Sequence, residues 1–518
     1  MKMLVALAGV VIAAMSTELN DAVSGIILND ILGGLGISHD PGTWVESLYI
    51  TGEVVGMSCS PWFAITFGLR RWTLFVICFA CVTTLLIPTT ANLTLLYVLR
   101  VLQGLSGGLT IPLLMTTALR ALPPPIRLYG LAAYALTATF FPNLSTLMAA
   151  LWTEAGDGPL GWQFSFYEAL PLATIAALLV WYGMVVDPPQ LQRFRKFDWR
   201  GLLLVMIGLG SLTTVLQQGD RYDWFKSTTI CLLTLSAAVA IPLLLINEWF
   251  HELPLLKLQM LGRRNLAYGL IGLFTFLIVT SSSSSIPISY LEQVQDFRPL
   301  QAYGLTTLVA CMQLVLLPAM ALLLNIKSVD PRVVSFLGLA CVLTACIGNT
   351  FLTDVWKNGE FWLWQVFQGF GEAMIVMPLL LMATNTVKKP EEGPFASSLV
   401  NTPRALGEAT STWLLQLITR WRGDLHSSRL TDQAGQERYR AVQGHGVLPN
   451  DPPPLLPNGQ PRTPDSMIQF IETIRHETTV LTLSDAFALM GAITVGLMVV
   501  LIVLTERTYP PRIVFAKK

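Results

Sequence analysis

The chain has 518 residues, of which 53% are hydrophobic and only 13% are charged. Because a soluble protein carries about 25% charged residues, a water-soluble globule of this length could not cover its surface with so few charges. The composition therefore indicates an integral membrane protein. The 33 basic residues balance the 33 acidic residues, so the net charge gives no argument for binding nucleic acid.

Apolar stretches long enough to cross a bilayer recur along the whole chain. A crossing helix needs about 20 apolar residues, and about fourteen stretches reach that length. They cover residues 4–31, 42–67, 72–91, 93–119, 127–152, 162–186, 198–218, 226–249, 264–291, 299–325, 333–352, 359–386, 393–420 and 481–504. We number them spans 1 to 14 and predict an all-α integral membrane fold.

The basic residues orient these spans. With the amino terminus in the cytoplasm, about 20 Lys and Arg residues fall in cytoplasmic segments and about four in the short outer loops, as the positive-inside rule requires. Both termini are therefore predicted to be cytoplasmic. The cytoplasmic count includes Lys388, Lys389, Arg512, Lys517 and Lys518.

One long polar loop is predicted over residues 421–478, between the last two spans and on the outer side. It contains the run Asp451-Pro-Pro-Pro454, and the stretch Pro464–Thr479 has the spacing of a short amphipathic helix. Two interpretations stay open: a solvated loop, or a docking element for an outside partner.

Two segments of the chain resemble each other. Residues 100–114 and 365–380 align so that Gln103-Gly104 matches Gln368-Gly369 and a proline follows in each. The segments lie in spans 4 and 12, as expected for two six-span bundles separated by two extra spans. Parallel repeats of this kind build transporters with a site between the halves. We predict an amino-terminal bundle over 1–190, two linking helices over 191–255 and a carboxy-terminal bundle over 256–518.

Several motifs carry a family resemblance. They are Gly42-Thr-Trp-Val45 in span 2, Arg100-Val-Leu-Gln103-Gly104 in span 4, Asp223-Trp224-Phe225 after span 7, Arg264-Asn265 at the start of span 9 and Ala396–Gly407 in span 13. With the span count, these motifs make the chain similar to the major facilitator superfamily, specifically its fourteen-span drug:proton antiporters of the EmrB type.

The resemblance implies an activity and a setting. It implies a proton-driven secondary transporter that exports lipophilic or amphipathic organic compounds by alternating access from the bacterial inner membrane, with no cofactor. It further implies a periplasmic adaptor of the EmrA type and an outer-membrane channel, which together form a tripartite pump.

Two family motifs are eroded, and this keeps an alternative open. The loop after span 2 lacks the family's acid, and Ser145–Ala150 replaces the glycine–proline motif of span 5. The alternative is a dedicated exporter or uptake carrier for one metabolite or siderophore on the same fold. An enzyme is not favoured, because the sequence shows no metal-binding spacing, nucleophile elbow or phosphate loop.

Acids inside the spans are the candidates for proton coupling, since an ionisable group near the bilayer centre is costly unless it is paired or hydrated. Glu18 and Asp21 share one face of span 1, and Glu53 lies at a similar depth in span 2. We predict that Arg100 in span 4 holds Asp21 or Glu18 charged in one state and releases it in another. A permanent ion pair that fixes the bundle is the alternative.

Other polar positions are candidate substrate contacts. Asn20 occupies the place that the family gives to an acid, and Glu372 replaces Gly107 of the repeat, so we expect it to face a cavity. Arg404 and Glu408 are four residues apart and could simply neutralise each other. The predicted substrate-binding residues are Asn20, Gln103, Glu372, Gln368, Arg404 and Glu408.

A run of serines, Ser281–Ser285, makes span 9 unusually polar. These hydroxyls could line a wet cavity or bond back to carbonyl groups of their own helix. We favour the second interpretation.

Overall fold

The computed structural model describes residues 2–90, 92–122, 126–153, 161–387, 392–443, 456 and 463–508. Over these residues the chain forms fourteen helical segments in the predicted order, which we number α1 to α14. The loop and terminal lysines and arginines at 388, 389, 512, 517 and 518, which entered the charge count, lie outside the described residues.

The helices of the first half are α1 (Lys2–Ile26, continued by Leu28–Leu35), α2 (His39–Phe67), α3 (Leu69–Leu86), α4 (Leu93–Ala121), α5 (Arg127–Thr153) and α6 (Phe164–Tyr167, continued by Ala169–Gly183). Two helices follow: α7 (Trp199–Leu204 and Gly210–Gln218, joined by a π-helical turn) and α8 (Thr228–Phe250). The second half contains α9 (Arg264–Val279 and Ser285–Gln293), α10 (Pro299–Leu324), α11 (Pro331–Asn349), α12 (Asn358–Thr384), α13 (Gly393–Gln443) and α14 (Pro464–Leu504).

Among the described helices, 11 are long and apolar enough to cross a membrane. The three more polar ones are α2, α5 and α13. α2 packs against α13 and α5 packs against α10, so these helices lie where the two halves of the chain meet. Polar side chains in such a place face protein or a cavity rather than lipid. This position is consistent with the more polar composition of the three helices.

Close backbone contact joins α4 to α2. A Cβ atom at Gly104 would lie 1.9 Å from the carbonyl oxygen of Tyr49, so only glycine fits there. In the repeat, Gly369 of α12 packs on Met312 of α10, where a Cβ would lie 3.0 Å from the thioether. The pair α12–α10 therefore corresponds to the pair α4–α2, with the offset of eight spans that the sequence repeat predicts.

The predicted polar loop at 421–478 is wrong for residues 421–443. α13 is 51 residues long and continues to Gln443, which at about 1.5 Å per residue gives about 77 Å, against a hydrocarbon core of about 30 Å. A helix started in the membrane can propagate here because residues 421–443 contain no proline. The predicted helix at Pro464–Thr479 is present as the first part of α14. The run Asp451–Pro454 lies outside the described residues.

The orientation can be tested with a matched pair of serines. Ser428 is exposed on the extension of α13, and Ser328 is exposed between α10 and α11. A membrane-impermeant maleimide added to intact cells should label Ser428→Cys and leave Ser328→Cys unlabelled until the membrane is permeabilised, because the charge bias places them on opposite sides. Mass spectrometry of the purified chains reads the result, with the unsubstituted chain as background. Labelling of Ser328→Cys alone in intact cells would contradict the predicted orientation.

Candidate functional site

The two halves of the chain are held together near one side of the membrane. Ser58 of α2 and Thr402 of α13 are hydrogen-bonded through their hydroxyls at 3.1 Å, and the Tyr134 hydroxyl of α5 donates to Asn401 Oδ1 at 2.8 Å. These residues lie toward the side where α1 begins and α14 ends, which we call the terminal side. The halves are therefore closed against each other on the terminal side.

A cavity of about 550 Å³ lies on the opposite side. Its lining residues are Glu46, Asp220, Ser285, Ser411, Thr412, Leu415, Gln416, Thr419 and Arg420. The volume falls within the range of about 300–1,000 Å³ that is usual for small-molecule sites. Because the lining combines carboxylates, hydroxyls and an aliphatic side chain from both halves, it suits an amphipathic organic molecule.

On the terminal side of this cavity, Arg404 of α13 contacts the first half of the chain. Its Nη2 lies 2.6 Å from Glu18 Oε1 on α1, and its Nε lies 3.2 Å from Glu408 Oε1. Its Nη1 also donates to the Thr137 hydroxyl of α5 at 2.6 Å. Arg404 thus joins the two halves through a charged and a neutral partner. The interpretation that Arg404 and Glu408 merely neutralise each other is incomplete.

Burial makes this ion pair sensitive to the charge of either partner. The side chain of Arg404 is 0% exposed and that of Glu18 is 10% exposed. Removing one charge of a buried pair leaves the other without compensation, which is far more costly than at a surface. Arg404 lies seven residues from Ser411 of the cavity lining, about 10 Å along the helix. The pair is therefore well placed to couple a change in charge to the cavity.

Three further acids lie on the helices of the first half that adjoin the pair and the cavity: Asp21 on α1, and Glu46 and Glu53 on α2. Among the described residues, none of their carboxylates makes a hydrogen bond or an ion pair within 4 Å. Glu53 is buried, at 4% exposure, and Glu46 lines the cavity. Glu46 is not among the site residues predicted from the sequence, although its spacing of seven residues from Glu53 places both on one helix face.

Arg100 has other partners than the predicted acids. It donates to the Val45 carbonyl oxygen at 3.0 Å, to Gln103 Oε1 at 2.8 Å and to the Ser24 hydroxyl at 3.3 Å. Its guanidinium also lies 4.9 Å from the centre of the Tyr49 ring. The predicted ion pair of Arg100 with Asp21 or Glu18 is absent from this conformation, in which three of its donors go to neutral oxygens of α1, α2 and α4. That Arg100 pairs with one of these acids in another state of the cycle stays a prediction.

Asn20 and Gln103 link helices instead of lining the cavity. Gln103 Nε2 donates to Asn20 Oδ1 at 2.5 Å, and Asn20 Nδ2 donates to the Ser165 carbonyl oxygen at 2.5 Å. In the second half, Gln368 Nε2 donates to the Ser282 hydroxyl at 2.5 Å. Gln103 thus joins α4 to α1 as Gln368 joins α12 to α9. None of these three residues lines the cavity described above. In this conformation they connect helices and make no contact with the cavity.

Glu372 is also away from this cavity, and the expectation that it faces one is wrong here. It is 1% exposed and hydrogen-bonded to the Ser283 hydroxyl of α9. Four serines of this run bond back to their own helix, as predicted, among them Ser281 to the Ile278 carbonyl oxygen at 2.6 Å and Ser282 to that of Val279 at 2.7 Å. Ser285, the last of the run, instead lines the cavity.

The connection between α7 and α8 lies at the rim of the cavity. Arg420 of α13 lies 3.0 Å from Asp220 Oδ1 and also pairs with Asp223. Hydrogen bonds from Arg420 and from Lys226 hold the pKa of Asp223 below its usual range. The stabilisation from the ion pairs of Asp223 is therefore complete when the pH is above the ordinary pKa of an aspartate. It is lost as the pH falls through the lowered pKa of Asp223. On the other flank, Trp44 of α2 donates to the Tyr222 hydroxyl at 3.1 Å.

Comparison with known proteins decides the family. Residues 8–412 match the family model described as Major Facilitator Superfamily. The chain belongs to the major facilitator superfamily. The predicted family and the predicted all-α membrane fold are therefore confirmed, and the chain is a multi-pass membrane protein.

Sequence relatives at low identity span most of the chain. The probable multidrug resistance protein EmrY of Escherichia coli K12 is 26% identical over 427 residues, which cover 81% of each chain. The multidrug export protein EmrB of the same strain is 24% identical, with 84% of this chain and 85% of EmrB covered. The fatty acid resistance protein FarB of Neisseria gonorrhoeae is 25% identical, with 81% and 82% covered.

Solved structures share the fold. The human organic anion transporter TETRAN superposes with a TM-score of 0.57 at 14% identity, over 95% of this chain and 99% of that one. The proton:xylose symporter XylE gives a TM-score of 0.54 at 12% identity, over 96% of each chain.

The linking role of Gln103 predicts a loss of stability on truncation. Gln103→Ala would leave Nη1 of Arg100 and Oδ1 of Asn20 without the partner that Gln103 provides, at about 1–3 kcal/mol for each unsatisfied group. The midpoint of thermal unfolding in detergent should fall clearly. Gln416→Ala, which removes an exposed amide at the cavity, is the matched control and should leave the midpoint unchanged. Equal midpoints for the two variants would contradict the linking role.

Proposed function

We propose that this chain is a proton-driven secondary transporter that exports lipophilic or amphipathic organic compounds by alternating access. The similarity to EmrY, EmrB and FarB, which are named for multidrug resistance, multidrug export and fatty acid resistance, supports the direction of transport and the class of compound. The observation that carries the proposal is the buried Glu18–Arg404 ion pair, which joins the two halves directly below the cavity.

Proton binding at Glu18 weakens the contact between the halves. The neutral acid no longer attracts Arg404, which keeps only Glu408 as a charged partner. The conformation with a closed terminal side then loses part of its stabilisation, and the population shifts toward one that opens on that side. Release of the proton on the terminal side restores the Glu18–Arg404 ion pair, and the cavity opens again on the other side of the membrane. Each transport cycle thus carries one proton from the cavity side to the terminal side.

The orientation gives this cycle its direction. We propose that both termini lie in the cytoplasm of a bacterial inner membrane, as the excess of basic residues in the terminal-side loops supports. The cavity then opens to the periplasm, so the present conformation faces outward. In that conformation it would release its compound and take up a proton.

The extensions of α13 and α14 would then lie in the periplasm. Ile468 and Ile471, one helical turn apart on α14, are 55% and 59% exposed and would form an apolar strip there. We propose a periplasmic adaptor of the EmrA type as the partner of these extensions, with an outer-membrane channel completing a tripartite pump. Protons, the lipid bilayer and small lipophilic compounds are the remaining partners.

Efflux of lipophilic dyes from cells that overproduce the chain tests the proposal. Efflux should require a proton gradient and should fall by at least about tenfold in Glu18→Gln, because loss of a buried charge partner changes the conformational balance by more than about 1.4 kcal/mol. Glu360→Gln removes an exposed acid at the start of α12 and is the matched control, with unchanged efflux expected.

Two outcomes would overturn the proposal. Efflux that survives collapse of the gradient would remove the proton coupling. Gradient-driven accumulation of a compound, with no outward movement, would favour the uptake carrier on the same fold.

A further inference from the structure

A second buried carboxyl group lies in the carboxy-terminal half, where no cation neutralises it. Glu372 of α12 is 1% exposed; its Oε1 is hydrogen-bonded to Ser283 and its Oε2 has no partner among the described residues. No ion pair of the described residues includes it. An ionised carboxylate here would be an uncompensated buried charge, which is one of the costliest groups that a protein interior can hold.

Ser283 lies at a break in a membrane helix. The first part of α9 ends at Val279, a 3₁₀ turn covers Thr280–Ser282, and the helix resumes at Ser285. Breaks at this depth occur where protein satisfies the freed polar groups, and transporters use them to build ion sites. Glu372 therefore meets α9 at the place where that helix departs from regular geometry.

A count of hydrogens favours a protonated Glu372. The Ser283 hydroxyl has one hydrogen but two oxygen partners, the Thr280 carbonyl at 2.8 Å and Glu372 Oε1. If the Ser283 hydrogen goes to the carbonyl, the bond to Glu372 needs a hydrogen from the carboxyl group. A carboxylic acid that donates to Ser283 Oγ supplies it, and both contacts are then satisfied.

The two neighbouring glutamines leave buried acceptor oxygens without a donor. Gln365 Nε2 donates to the Ser283 carbonyl oxygen at 3.0 Å, and Gln368 Nε2 donates to the Ser282 hydroxyl. The side-chain oxygens of both glutamines have no partner among the described residues. Gln365, Gln368 and Glu372 follow one another on one face of α12. The cluster thus contains three buried oxygens without a donor among the described residues, two on the glutamines and one on Glu372, and a proton on the carboxyl group supplies a donor.

We propose that Glu372, with Ser283, is a second proton-binding site of this transporter, and that it holds a proton in the conformation seen here. The site is separate from the Glu18–Arg404 pair, because it lies between α12 and α9 within one half. Its contribution to export rests on the proposed function; its occupation by a proton does not.

The surroundings leave burial and Ser283 to set the charge of Glu372. The helices that pack against α12 carry the following titratable and charged side chains within their membrane parts: Arg264, Tyr268, Tyr290, Glu292, Tyr303, Cys311, Arg332, Cys341, Cys346, Arg127, Tyr129, Tyr134, Arg404, Glu408 and Arg420. Of these, only Cys346 contacts the cluster, with its Sγ 3.9 Å from Gln368 Nε2. Arg404 is occupied by Glu18 and Glu408.

Infrared difference spectroscopy of the purified full-length chain, between acid and alkaline pH, tests the proposal directly. A protonated carboxylic acid has a C=O stretching band that ionisation removes. Glu372→Gln should remove one component of this band, whereas Glu360→Gln, at an exposed acid, should leave that component in place. Ser283→Ala should keep the component and move it to higher frequency, because the acid loses its hydrogen-bond partner.

Three results would overturn the proposal. They are a spectrum of Glu372→Gln identical to that of the unsubstituted chain, a component that Ser283→Ala does not move, and a component that sodium ions remove at constant pH. The last would make the cluster a sodium site. If Glu372→Gln does not fold, as judged by gel filtration, the shift in Ser283→Ala decides.

The spectroscopic result is independent of export. No transported compound is needed, and Glu18→Gln should leave the Glu372 component intact. Absence of gradient-driven efflux with this component present would overturn only the proposed function. Gradient-driven efflux without this component would overturn only the second proton site.

Discussion

An arginine buried between two halves of a membrane protein needs a negative partner in every conformation, and the structure depends on how Arg404 meets this requirement. Its side chain is 0% exposed and takes its charge partners from both halves, Glu18 on one side and Glu408 on the other. Because water cannot replace a lost partner in such a place, the relation between the halves depends on the charge of Glu18. This is the physical link between a proton and a conformational change.

The remaining polar groups mostly stabilise each half separately. Gln103 ties α4 to α1, and Gln368 ties α12 to α9 by a corresponding bond. Glycine contacts such as that of Gly104 on α2 bring helix backbones together within one half. Since buried hydrogen-bond networks rigidify what they join, each half can move as a body, and change is concentrated at the contact between them.

The sequence predicts the helix order, the repeat and the acids of α1, because these depend on local composition and spacing. It does not predict the partner of Arg404, because Glu18 lies 386 residues away and only the folded arrangement of the two halves brings the two side chains together. Arg100 shows the same limit: backbone and amide oxygens satisfy it, and spacing alone cannot reveal them. The loop predicted at 421–443 fails because polarity ends a membrane span but does not end a helix.

Distances between spin labels on the two halves test the central claim most directly. Ser38, exposed before α2, and Gly359, where an added Cβ meets no atom within 4 Å, give one label site on each half at the cavity side. In a background without native thiols, Ser38→Cys/Gly359→Cys should give one long distance at alkaline pH. Acidification, or Glu18→Gln at any pH, should add a shorter distance as this side closes. A distribution that neither acid nor Glu18→Gln changes would contradict the claim that the Glu18–Arg404 pair holds the halves in this conformation.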